Sequence, residues 1–138
     1  MPTSLKSQSA WRVAYWLLLA MFLTTAALTM NHVSAGFFTN YAADLFVPAW
    51  MYIALRRLAS HHKSQNPLFR FLGRSPELAA GSLLVGSALS EVSQIFWPRG
   101  FFAGTFDPLD LVAYASGLLV CYVADRAQLR RLTTVPHP

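Results

Sequence analysis

Four apolar runs, separated by short polar or basic stretches, narrow the folds open to this chain more than any other feature. A helix that crosses about 30 Å of hydrocarbon needs about 20 mostly apolar residues. Residues 13–30, 41–58, 76–97 and 108–125 have that character. Thr24, Thr25 and Thr29 are the only interruptions of the first, and Asp44, Glu91 and Asp110 stand in the later three. Composition closes off the alternatives. Of 138 residues, 12% are charged, about half the share of an ordinary soluble domain, and the mean hydropathy is +0.37. Aromatic residues at 14% are the opposite of a disordered composition. The expected fold is all-α: one domain over 1–138, an integral membrane protein with four transmembrane helices arranged as two hairpins.

The basic residues orient those hairpins. Lys6 and Arg12 precede the first run; Arg56, Arg57, Lys63, Arg70 and Arg74 lie between the second and third; Arg126, Arg130 and Arg131 follow the fourth. Of 11 Lys and Arg, only Arg99 falls on the opposite face. The positive-inside rule places the cation-rich face, with both termini, in the cytoplasm. The net charge of +5 therefore reads as topology, and no nucleic-acid partner is expected. Val33-Ser34-Ala35 before Gly36 resembles a leader cleavage site, but the first run exceeds a leader's 7–15 apolar residues and reads as an anchor. Cys121, the one cysteine, lies in an apolar run with no partner for a disulfide.

Helix starts are marked locally. Ser75-Pro76-Glu77 supplies a hydroxyl cap, a first-turn proline and an acid at the positive dipole end. Asp107-Pro108-Leu109-Asp110 repeats the pattern, with Asp110 at the reciprocal position of a capping box. Gly36-Phe37-Phe38-Thr39 before Asp44 and Gly100-Phe101-Phe102-Ala103 before Asp110 form a faint internal repeat. Ser82, Gly86 and Ser90, like Ala113 and Gly117, form small-residue stripes that suit close helix packing.

The residues with chemical potential gather opposite the cations: Asp44, Glu91, Gln94, Arg99, Asp107 and Asp110. Glu91 is the most informative. At 1.5 Å per residue it lies about 9 Å below Trp97, an interfacial residue, and a lipid-facing carboxylate at that depth costs kilocalories. It must face the bundle interior, with Ser87 and Gln94 on the same helix face. Its alternatives are a ligand site and a hydrogen-bonding link between helices. Asp107 and Asp110 read as caps or as pocket acids, Asp44 as a pocket acid or an interfacial residue, and Arg99 as a phosphate anchor or a partner of the acids. No metal set or cofactor motif is present. His61 and His62 beside Lys63 read as headgroup contacts, since third and fourth ligands are missing.

Glu91-Val92-Ser93-Gln94, then Pro98-Arg99-Gly100, then Asp107-Pro108-Leu109-Asp110 and Gly117 resemble the VanZ-like membrane protein family. The match covers the last third of the chain. Tyr114 stands where that family has Asn, and the Lys and His that follow its early Asp are absent after Asp44. The resemblance implies a place in the bacterial cytoplasmic (inner) membrane, with a role in the cell envelope and, for the namesake, teicoplanin resistance. The expected function is non-catalytic binding of a lipid headgroup or an amphiphilic glycopeptide by Glu91, Gln94, Arg99 and Asp110, with Asp107 and Asp44 nearby. Membrane lipids, a glycopeptide antibiotic or a lipid-linked cell-wall precursor are the expected partners. Two alternatives stay open: a metal-assisted enzyme using Asp107 and Asp110, and a subunit of a homo-oligomer or larger membrane assembly.

Overall fold

The computed structural model describes residues 5–33, 36–60, 66–99 and 106–133. All regular structure among them is helical: α1 Leu5–Met30, α2 Phe37–Ser60, a short α3 Pro67–Leu72, α4 Pro76–Phe96 and α5 Pro108–Thr133. Ser9–Met30, Pro76–Phe96 and Pro108–Arg131 are long and apolar enough to cross a membrane. The bundle is turned outward accordingly. Trp16, Leu89 and Val120 are 65%, 64% and 70% exposed, as are many other large apolar residues of these three helices. Water does not tolerate so continuous an apolar exterior; hydrocarbon does.

Hydroxyl groups on these helices are satisfied at home. Thr24 Oγ1 donates to the Ala20 carbonyl (2.8 Å), Thr29 to Thr25 (3.0 Å) and Ser116 to Val112 (2.7 Å). Lipid offers no partner, so each of these three hydroxyls turns back to its own helix.

The second expected span, α2, differs in kind. It has 24 residues but is not among the helices apolar enough to cross alone; it packs against α1, α4 and α5. Ala49, Tyr52, Ile53 and Leu55 of α2 form the core with Ala79, Leu118 and Cys121. A helix enclosed by its neighbours does not need an apolar outer face, and α2 therefore accommodates Asp44, Arg56 and Arg57. Gly117 explains how closely α5 approaches it. A β-carbon there would collide with the Leu45 carbonyl oxygen and lie 3.2 Å from the carbonyl carbon. Gly86, by contrast, is exposed and opens on free space, so the stripe expected through Ser82, Gly86 and Ser90 is not a packing seam at its centre.

Contacts at the helix ends define the direction of each helix. Trp11 Nε1 donates to Gln128 Oε1 (2.6 Å), tying the start of α1 to the end of α5. Arg56, late in α2, reaches Asp125 of α5 (2.6 Å) and the Gly73 carbonyl (2.7 Å) just before α4. The four long helices thus alternate, and Arg56, Arg57, Arg70, Arg74, Arg126, Arg130 and Arg131 collect at one end. At that end α3 exposes Leu68, Phe69 and Phe71 around Arg70, the pattern of a short interfacial helix. The His61-His62 pair, the cleavage position after Ala35 and the second repeat triplet at 100–103 lie outside the described residues.

Candidate functional site

At the end opposite the cations, three helices each bring one acid inward: Asp44 from α2, Glu91 from α4 and Asp110 from α5. Each has a local reason to be there. Asp44 lies one turn before Pro48, a buried proline inside α2, which has no N–H to give to the Asp44 carbonyl. Glu91 is 2% exposed and five residues before the end of α4 at Phe96. Asp110 stands in the first turn of α5, where the helix dipole favours a negative charge.

Tyr114 joins them. Its hydroxyl donates to Glu91 Oε1 at 2.8 Å and lies 3.2 Å from Asp44 Oδ1. One hydroxyl proton cannot serve two carboxylates at once, so Tyr114 donates to Glu91 or to Asp44. Gln94, one turn beyond Glu91, adds a long contact from Nε2 to the same Oε1 (3.4 Å). Glu91 Oε2 is buried and has no hydrogen-bond partner among the described residues. Leaving a buried acceptor unsatisfied costs about 1–3 kcal/mol, and more if it is charged.

Asp107 and Asp110 part company. Asp107 is the cap: Oδ1 accepts from the Leu109 amide (2.9 Å), and its carbonyl accepts from the Asp110 amide (3.1 Å). Its other oxygen, Oδ2, accepts from the Tyr41 hydroxyl (3.0 Å), pinning the start of α2 to the start of α5. Both carboxylate oxygens are thereby committed to structure. Asp110 is half-buried, and its carboxylate makes no bond among the described residues, so the reciprocal capping contact is not formed. That leaves Asp110 available to the acid cluster. Arg99 is exposed beyond the end of α4 and pairs with none of these acids among the described residues.

The expected site residues therefore divide. Asp44, Glu91 and Gln94 come together, with Asp110 on the same end and the same α5 face as Tyr114. Asp107 is held as a cap, and Arg99 stands outside. Tyr114 and Tyr41 were missed as site residues. The signal for Tyr114 is its position four residues after Asp110, which stacks both on one helical face. Among the described residues no three His, Cys, Asp or Glu side chains come together as a metal-holding group.

A second polar centre lies at the cation-rich end. Asp125 Oδ2 accepts from the Tyr52 hydroxyl (2.8 Å) and from Arg56 Nε (2.6 Å), and Asp125 is 7% exposed. Tyr52, Arg56 and Asp125 join α2 to α5 at this end through one shared carboxylate oxygen. Arg56, counted in the sequence as an orienting cation, is thus committed to the core. Comparison with known proteins finds no family model, curated protein or solved structure that matches this chain.

Proposed function

We propose that this chain is a VanZ-like protein of the bacterial cytoplasmic membrane that binds the polar headgroup of an amphiphile without transforming it. In this reading all four long helices span the bilayer, α2 inside the other three, and both termini are cytoplasmic. The acid cluster then lies at the outer leaflet. The observation that carries the reading is the buried, donor-deficient Glu91 carboxylate, held at the meeting of α2, α4 and α5.

Donor counting supports a ligand over a helix link. When ionised, Asp44, Glu91 and Asp110 present acceptors only, while the side-chain donors facing them are the Tyr114 hydroxyl and the Gln94 amide. The group that completes this site brings hydrogen-bond donors: the amines and hydroxyls of a lipid headgroup, a lipid-linked cell-wall precursor or an amphiphilic glycopeptide. In this reading the half-buried Asp44 and Asp110 meet the headgroup first. Arg99 is left to contact phosphates at the membrane surface.

The test is teicoplanin susceptibility of a sensitive Gram-positive host that expresses the native chain, Glu91→Gln or Asp110→Asn at matched membrane levels. Vancomycin is run in parallel. The native chain is expected to protect against teicoplanin and both neutral variants to lose that protection. Absence of protection by the native chain overturns the VanZ-like function, and full protection by both variants overturns the acid cluster as its site.

A further inference from the structure

A groove of about 400 Å³ runs between α4 and α5, lined by none of Asp44, Glu91, Asp110 or Tyr114. Ala80, Gly81 and Leu84 line it from α4, and Ala115 and Leu119 from α5. Its walls carry polar atoms at one end only. There Glu77 accepts from Arg126 Nε (3.2 Å) and from the Tyr122 hydroxyl (3.4 Å). Arg74 lies three residues before Glu77 in the sequence, at the cation-rich end of the bundle. From Glu77 to Leu84 the groove extends seven residues along α4, about 10 Å. That is less than half of a 30 Å hydrocarbon core, so the groove stays within one leaflet and is polar only where that leaflet meets water.

We propose that this groove holds one acyl chain of an anionic phospholipid from the cation-rich leaflet, its phosphate against Arg126. The groove matches that molecule in sequence along its length: apolar within the bilayer, and opening at the surface on the cation-rich end of the bundle, where Arg130 and Arg131 follow Arg126. Small residues make the room. A β-carbon on Gly81 meets nothing within 4 Å, so a larger side chain there would enter the groove. The site is independent of the headgroup reading above, being at the opposite end and built from different residues.

The test uses the full chain purified in maltoside detergent and exposed to phosphatidylglycerol or phosphatidylcholine with identical acyl chains. Bound lipid is counted by native mass spectrometry. One phosphatidylglycerol per chain is expected, held in preference to phosphatidylcholine. Gly81→Leu fills the groove and is expected to abolish that bound lipid while helix content and thermal midpoint stay at or above native. Ala115→Leu fills it from the α5 side and is expected to do the same, so a folding defect in one variant cannot imitate the result. Arg126→Gln is expected to cut the preference for phosphatidylglycerol about five-fold, the worth of one arginine near an anionic surface. Lipid retained unchanged by both filled variants overturns the proposal. So does equal retention of the two lipids by the native chain, or a dimer that both filled variants dissolve, which would place a second copy in the groove.

Discussion

Two ion pairs at the same end of this bundle are expected to differ severalfold in their contribution to stability, and burial is the reason. Asp125 and Arg56 meet at 2.6 Å with side chains 11% and 20% exposed; Glu77 and Arg126 meet at 3.2 Å with side chains about half exposed. Replacing Asp125 with Ala strips the Tyr52 hydroxyl, on a residue with 0% exposure, of its acceptor. It also leaves the Arg56 guanidinium with the Gly73 carbonyl as its one remaining partner among the described residues. Breaking a buried pair from one side costs about 3–5 kcal/mol. The residual exposure of Arg56 puts this case near the lower bound, about 3 kcal/mol. Glu77→Ala removes an exposed pair worth about 0–1 kcal/mol. The assay is equilibrium unfolding of the purified chain in maltoside micelles with a rising fraction of dodecyl sulfate, followed by tryptophan fluorescence. A combined Tyr52→Phe, Arg56→Met, Asp125→Leu variant is expected to be more stable than Asp125→Ala alone, because no buried donor or charge is orphaned. Equal losses for Asp125→Ala and Glu77→Ala, or a combined variant worse than Asp125→Ala, would refute the reasoning.

Other consequences are open to the same assay. Gly117→Ala is expected to cost about 1–3 kcal/mol, because the Leu45 backbone it would meet cannot rotate away as a side chain would. Gly86→Ala, on an open helix surface, is expected to be neutral or to stabilise by about 0.5–1 kcal/mol. Tyr114→Phe removes the one strong donor to Glu91 and its contact with Asp44, and is expected to cost about 1–3 kcal/mol. In the susceptibility test it should then weaken teicoplanin protection alongside Glu91→Gln; a Tyr114→Phe chain that is both fully stable and fully protective would remove the hydroxyl from the site.

How much of this could be read from the sequence depends on the range of the interaction involved. Helix existence follows from the apolar runs, because a bilayer demands length and internal hydrogen bonding of any segment that enters it. The caps at Ser75 and Asp107 are local, two or three residues from their partners, and spacing suffices to find them. The Tyr114–Asp44, Tyr41–Asp107 and Arg56–Asp125 contacts link residues 66 to 70 positions apart, and no spacing rule brings them together. Asp110 illustrates the cost of relying on the local rule alone: it occupies a capping position without making the capping bond.

The inward face of each helix was hard to see for a related reason. In a soluble bundle an apolar stripe marks the face that packs. Here lipid and core are both apolar, so α1 and α5 carry almost no asymmetry of that kind. The inward face has to be marked by the polar residues instead, since those are what lipid rejects. On α5, Asp110, Tyr114, Cys121 and Asp125 all turn toward α2 or the acid cluster, with Gly117 between them against the Leu45 backbone. The spacings 110, 114, 117, 121 and 125 step by three or four residues, one helical face throughout. Read as a stripe of polar and small positions, they identify the α2-facing side of α5 and place Tyr114 beside Asp110 before any distance is measured.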